Sequence, residues 1–306
     1  MADPTKVANA VATTDQAERA FTLEDITDDA AYLNILIYGG YGAGKTTLAA
    51  TAADVEEMAD VLLLDIESGQ MVIKESDRIK HKERITRIRV ESYRQMAKAH
   101  EFLKVHCKYR DLEGAEANTK LIKLEAKWRG VSPDKIKKPK RFYTAIIDSL
   151  SELNQLCIYE LLGLPKPADI NLDEVLSNDG DMEMPTYDTY NKNNILLQMI
   201  IRAYRDLPVN CILNCHAAYE QDELKRYHYA PGLTGKLSAQ AQGFVDIVGY
   251  LKVGEAKEEG SKEAPRRLFI QPSGRFDAKN RKASIKEPHF DNPTMSKIWS
   301  AIGSVK

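Results

Sequence analysis

No apolar run in this sequence approaches the ~18 residues that a membrane-spanning helix needs, so no membrane partner is expected. Cysteine is scarce. Cys107, Cys157, Cys211 and Cys215 are too few and too unpatterned for a disulfide framework, which predicts a reducing compartment. The first residues lack the basic and apolar regions of a secretion signal, and a cytoplasmic location is expected. An excess of one charge is missing too. Lys+Arg 43 against Asp+Glu 45 leaves a net charge of -2, so any contact with nucleic acid must come from local patches.

What is present is an ordinary globular composition, 306 residues with 43% hydrophobic and 29% charged, enough chain to bury a sizeable core. Residues 1–30 carry Asp3, Asp15, Glu18, Glu24, Asp25, Asp28 and Asp29 against Lys6 and Arg19, and read as a loosely ordered acidic arm. Residues 31–306 read as one large domain. Short apolar runs at Asn34–Tyr38, Val61–Asp65, Tyr143–Asp148 and Val209–Cys215 suit strands buried on both faces of a parallel sheet. Helical stretches separate them; in Tyr187–Leu207, Leu196, Ile200, Tyr204 and Leu207 fall on one face. Alternating strands and helices predict an α/β fold with a mostly parallel, doubly wound sheet. Phe244–Val253 and Arg266–Gln271, around a charged turn, predict a C-terminal antiparallel extension.

Two stretches break the rhythm. Lys120–Arg141 holds nine basic residues against Glu125 and Asp134, within a basic insertion expected over about 108–141. Asp169–Asp188 holds seven acids and no Lys or Arg, within an acidic insertion expected over about 165–188. Solvated faces or a mutually pairing set would account for both equally well.

Chemistry concentrates at Gly39-Gly40-Tyr41-Gly42-Ala43-Gly44-Lys45-Thr46, a complete G-x-x-x-x-G-K-[ST] motif between an apolar strand and a helix that continues through Thr47. Glycines let backbone N–H groups turn inward around phosphates, and the helix N-terminus adds partial positive charge. Lys45 is expected on the β- and γ-phosphates of ATP, and Thr46 on Mg²⁺. Asp148, at the tip of a neighbouring strand, is the expected second metal-supporting group, with Asp65 competing for that role. Glu67, just past another strand tip, is placed to orient or deprotonate water, unless it caps a helix.

The order Leu-Leu-Asp65-Ile-Glu67, Ile-Ile-Asp148-Ser149 and Asn214-Cys-His216 resembles the RecA-like recombinase core, and in particular the phage-encoded RecA-like ATPases of single-strand annealing. The resemblance spans roughly residues 33–290 and implies a RecA-like P-loop fold in which Glu67 is the catalytic glutamate and Asp148 the Walker B aspartate. It implies that His216 senses the γ-phosphate, where RecA itself has glutamine; a strand-end histidine bonded to backbone is the alternative. Zinc on Cys211, Cys215 and His216 is disfavoured, because both thiols lie on one buried strand without a second ligand pair. Lys279 and Arg281 point to one side of an extended segment. They resemble the basic pair that such ATPases set against a neighbour's γ-phosphate, although Lys282-Ala283 replaces the usual Phe-Gly. The stretch after His216 reads as a loop, Ala217–Lys236. Its Lys225, Arg226, Tyr227 and Tyr229 interleave cations with rings, a pattern that suits single-stranded DNA.

The function expected is Mg²⁺-dependent ATP hydrolysis on single-stranded DNA in recombination, annealing or repair. The implied partners are the DNA, further copies of the chain in a ring or filament, and a single-strand binding protein. A nucleotide-gated adaptor with weak hydrolysis, or another oligomeric P-loop motor such as a helicase, are the rivals. A packaging motor should carry a nuclease domain, and a small-molecule kinase a substrate lid; neither is expected from these residues.

Overall fold

The computed structural model describes residues 32–112, 114–164, 184–221, 225–254 and 264–303. The acidic arm, the stretch 165–183 of the acidic insertion and the charged turn 255–263 lie outside the described residues. Ten strands are described: β1 (Asn34–Gly39), β2 (Val61–Asp65), β3 (Ile85–Arg89), β4 (Thr144–Asp148), β5 (Asn210–Gln221), β6 (Tyr227–Pro231), β7 (Ile247–Val253), β8 (Arg266–Phe269), β9 (Lys279–Asn280) and β10 (His289–Asp291). They form one sheet in the order β10-β8-β7-β1-β5-β4-β2-β3, with β6 paired to β5 and β9 to β7. From β7 to β3 neighbouring strands run parallel, and β8, β10 and β9 join antiparallel. The sheet is therefore mostly parallel with an antiparallel extension, as the apolar runs predict.

Alternation along each strand feeds two cores. On β1, Leu36 and Tyr38 face one side with Leu62, Ile147 and Leu213, while Ile35 and Ile37 face the other with Leu63, Ile146 and Ile212. Helices α3 (Tyr93–Arg110), α5 (Leu150–Leu161), α6 (Tyr187–Arg205) and α7 (Leu237–Phe244) cover the first side. Helices α1 (Lys45–Ala50), α2 (Gln70–Glu75) and α8 (Met295–Ile302) cover the second. Each fully buried aliphatic side chain contributes about 1.5–3 kcal/mol. Side-chain caps set several helix starts: Ser92 on α3, Ser149 on α5, and a Thr186–Thr189 capping box on α6. Among the described residues no helix is long and apolar enough to cross a membrane.

Four sequence expectations change. Asp148 does not sit on a strand next to β1, because β5 lies between β1 and β4. The first six residues of β5 are buried and uncharged, so this strand takes the centre. Strand β3 escapes the apolar-run criterion because Arg87 and Arg89 interrupt it; those charges suit its place at the sheet edge. The stretch after His216 is no loop. β5 continues to Gln221 and returns as β6, with Tyr219 opposite Tyr229 and its ring 5.4 Å from that of Tyr227, aromatic contacts that favour strands. Phe244 closes α7 and leaves β7 to begin at Ile247.

The basic stretch is built into this frame. Helix α4 (Gly114–Arg129) buries Ala117, Leu121 and Ala126. Several of its cations are paired within the chain: Lys120 with Glu116, Arg129 with Glu125, and Lys140 through its Nζ with Glu83 O at 2.7 Å.

Candidate nucleotide site

Strand β1 ends at Gly39, and the chain then turns through the phosphate-loop motif into α1. A Cβ at Gly39 would lie 2.4 Å from the Leu251 carbonyl oxygen on β7, so only glycine allows that strand to sit this close. Gly44 has φ +94 and stands where an added Cβ would meet Arg266 Nε at 2.9 Å. Arg266 in turn donates from Nε to Ala43 O at 3.1 Å and braces the loop from β8. Helix α1 starts without a side-chain cap, so its first N–H groups point into the turn unclaimed by a side-chain acceptor. Lys45 is buried, its Nζ donating to Gly39 O and Gly40 O at 3.0 Å each. Burial lowers its pKa, and the nearby carboxylates of Glu67 and Asp148 work against that shift. A polyanion beside it would favour the charged form further.

Thr46, on the first turn of α1, donates from Oγ1 to Asp148 Oδ2 at 2.6 Å. Asp148 closes β4 and is itself buried, and Asn214 on the intervening strand β5 donates to its Oδ1 at 3.0 Å. Burial raises the Asp148 pKa, partly offset by these two bonds. A hydroxyl and a carboxylate presenting hard oxygens side by side fit Mg²⁺, which takes one or two carboxylates plus phosphate and water. A cation there would supply the positive charge that burial withholds. Asp65, the rival for this role, is committed elsewhere: Arg87 Nε donates to it at 2.5 Å and the Gly69 amide at 3.0 Å.

A family model described as an AAA domain matches residues 31–282, most of the chain. The chain belongs to this AAA domain family. No curated protein matches it. Among solved structures, the crystal structure of the RadB recombinase is similar at 11% identity, covering 78% of this chain and 79% of that one with a TM-score of 0.33. The family and the phosphate-loop motif together make this a P-loop protein of the nucleotide-binding type, built on a mostly parallel α/β sheet.

In this AAA domain the tips of β2 and β4 and the middle of β5 converge on the phosphate loop. Glu67, just past β2, receives Ser149 Oγ from one side and lies 2.7 Å from His216 Nε2 on the other. Burial would raise the Glu67 pKa, but the hydrogen bonds from His216 and Ser149, with Lys45 nearby, lower it overall. His216 is positioned by Ser151, whose Oγ accepts its backbone N–H at 3.0 Å, and its ring lies 4.2 Å from that of Tyr41. Tyr41 is otherwise 84% exposed. Among the described residues, one group of potential metal ligands is found, Glu67, Glu152 and His216, with ligand atoms within 4.8 Å of one another. No cysteine belongs to it. All four cysteines are free and buried, and burial pushes the Cys215 thiol up to about 11 and that of Cys211 to about 12.

Lys45, Thr46, Glu67, Asp148 and His216 are thus brought together. Lys279 and Arg281 are not part of that cluster. Strand β9 pairs with the start of β7, Lys279 opposite Val248 and Asn280 opposite Ile247, whereas the phosphate loop adjoins the other end of β7 at Leu251. Lys279 Nζ donates to Gln242 O and Val245 O, both at 2.7 Å, and Arg281 Nη2 to Gly243 O at 3.2 Å. The pair clamps the C-terminal end of α7 in its own chain. On the hairpin, Lys225, Arg226 and Tyr227 are exposed, but Tyr229 turns inward and stacks on Tyr250 with ring centroids 5.5 Å apart.

Sequence reasoning quoted Asn214 and Ser149 within motifs but gave them no role, and it missed Ser151. Asn214 stands two residues before His216 in a buried strand whose other buried amide is Asn210, at its start, and a buried amide in such a run signals a polar partner. Ser149 directly follows Asp148, a visible but ambiguous signal, because serine at that place also caps α5.

Proposed function

We propose that this AAA domain protein hydrolyses ATP with Mg²⁺ and acts on single-stranded DNA in recombination, annealing or repair, as in the phage-encoded annealing ATPases its motif order resembles. The observation that carries the hydrolytic reading is the Thr46–Asp148 contact beside Glu67. One turn of chain holds the phosphate cation and the metal hydroxyl, and a separate carboxylate stands free of the metal pair. Bound Mg²⁺ would neutralise charge on the phosphates and hold them for in-line attack. Lys45 binds the phosphate oxygens, while Thr46 and Asp148 hold the metal. Glu67, kept ionised by His216 and Ser149, accepts the proton of the attacking water. His216 carries the state of the site into β5 and onward to the hairpin, since both belong to one continuous strand.

Single-stranded DNA is assigned to the hairpin because Lys225 and Arg226 offer cations beside the exposed ring of Tyr227. Lys279 and Arg281 are assigned to a neighbouring copy's site in a homo-oligomer, since they lie away from the phosphate loop of their own chain. A cytoplasmic setting accords with four buried free thiols. A single-strand binding protein is the further partner such work implies.

One observation favours a second reading, a nucleotide-gated adaptor with weak turnover: Glu67 is engaged by both His216 and Ser149 rather than left open to water. An ATPase assay with and without an oligo(dT) strand separates the two. Stimulation of turnover by DNA supports the recombination reading, and slow turnover indifferent to DNA supports the adaptor.

A further inference from the structure

Between the β5–β6 hairpin and the β7–β8 pair lies a cleft of about 520 Å³, a size within the ~300–1,000 Å³ of small-molecule sites. Among the described residues that line it there is no carboxylate and no aliphatic side chain. Lys225, Arg226, Lys252 and Arg275 contribute cations, and every other described lining residue is an aromatic ring. The rings form a continuous floor. Tyr229 stacks on Tyr250 at an interplanar angle of 18°, Tyr250 meets Phe276 at 5.1 Å, and Phe276 meets Phe269 at 5.0 Å. Tyr227 stands above that floor with 48% of its surface exposed.

The two walls are bonded together. The Tyr229 amide donates to Arg275 O at 2.8 Å, and the Asp277 amide donates back to Tyr229 O at 3.0 Å, so the turn bearing Arg275 and Phe276 is fixed to β6. Tyr38 Oη donates to Tyr229 O at 3.1 Å and to Asp277 O at 2.6 Å, which ties both walls to β1, the strand that leads into the phosphate loop. Lys252 and Arg275 are exposed at the rim.

We infer that this cleft is a nucleobase groove for single-stranded nucleic acid, in which an unstacked base lies against the aromatic floor and its flanking phosphates meet Lys252 and Arg275. Flat rings accept any base by its π-face, and cations at the rim take the backbone, so the groove binds single strands without reading sequence. A duplex keeps its bases stacked inside and has no face to offer this floor. The exposed cations Lys252 and Arg275 at the rim, with no acid among the described lining residues, favour a polyanion over an apolar peptide. The inference rests on the proposed single-strand role of the hairpin and extends the path to β7, β8 and the turn at Arg275, none of which the sequence assigned to nucleic acid.

The test uses the full chain, a fluorescein-labelled oligo(dT), an abasic strand of equal length, and Lys252→Ala/Arg275→Ala, two exposed positions whose side chains build no core. Anisotropy should show oligo(dT) bound ~10-fold less tightly by the double variant, with the salt slope reduced by about 1.4 for two lost phosphate contacts. The wild-type chain should prefer oligo(dT) over the abasic strand, the difference a base stack makes. Strands carrying 5-iododeoxyuridine should photocrosslink within residues 264–280. Equal binding of the abasic strand, or unchanged affinity in the double variant with crosslinks confined to residues 217–231, overturns the groove and leaves the hairpin site standing. No binding of oligo(dT) by the wild-type chain overturns the groove and the single-strand reading together.

Discussion

Glu67, just past the tip of β2, and His216, midway along β5, belong to strands separated in the sheet by β4 and meet at 2.7 Å beside the phosphate loop. The glutamate is the group assigned to water, and the histidine is the point where the hairpin strand passes the nucleotide site. Their contact joins chemistry to the surface proposed for DNA. Glu67→Gln should retain nucleotide affinity while kcat falls ~10²-fold or more, the range of a lost general base. Nucleotide binding that collapses in this variant would move Glu67 to a structural or metal-holding role.

The same pair predicts a pH dependence. The Glu67 pKa is depressed in the folded protein despite burial, so its contribution to stability is present above the ordinary carboxylate range and is lost as pH falls through the folded value. His216→Ala removes the leading bond that lowers it and leaves burial opposed by Ser149 and Lys45 alone. The acidic limb of the kcat/KM profile should then move to higher pH, while Asp148 and Thr46 keep their contact. A limb at the parental position would separate His216 from the ionisation of Glu67.

Lys45→Ala should abolish turnover, because backbone N–H groups alone cannot replace a buried cation on the phosphates. Steady-state phosphate release measures this directly, and turnover at the parental rate would remove the phosphate-loop assignment. Fold integrity is checked by thermal melting, since Lys45 also bonds Gly39 O and Gly40 O.

Lys279→Ala and Arg281→Ala should each bind ATP and turn over slowly, and mixing either with Glu67→Gln should restore part of the activity through sites formed between unlike copies. Co-assembled mixtures with no recovery would leave the pair as a clamp on α7. That clamp carries its own expectation: Lys279→Ala leaves the Gln242 and Val245 carbonyls without their donor and should cost about 1–3 kcal/mol of stability.

The two hairpin tyrosines should separate. Tyr227→Ala should weaken oligo(dT) binding by ~1–3 kcal/mol with little change in melting temperature, the usual worth of one base stack. Tyr229→Ala should lower the melting temperature as well, because its ring stacks on Tyr250 and belongs to the floor of the sheet. Replacing Lys225 and Arg226 together should reduce affinity and flatten its salt dependence. Basal hydrolysis should survive all of these changes.

The phosphate loop was legible from residues alone, because its glycines, Lys45 and Thr46 act through local backbone geometry between a strand and a helix. The four apolar strands were legible for a similar reason: continuous burial leaves no polar residues to alternate. Strand order was not, since the centre of a sheet is decided by competition among strands for burial; β1 and β5 share that centre with six uncharged residues each, whereas β2 and β4 end in aspartates. Residue type alone did not separate Asp65 from Asp148, both acids at strand tips, and only the motif order favoured Asp148. Arg87 on the edge strand β3 claims the first, and Thr46, 102 residues away in the chain, claims the second. Lys279 and Tyr229 show the same limit. Residue type marks a cation or a ring as available, but only the packed chain decides whether a carbonyl or another ring has already taken it.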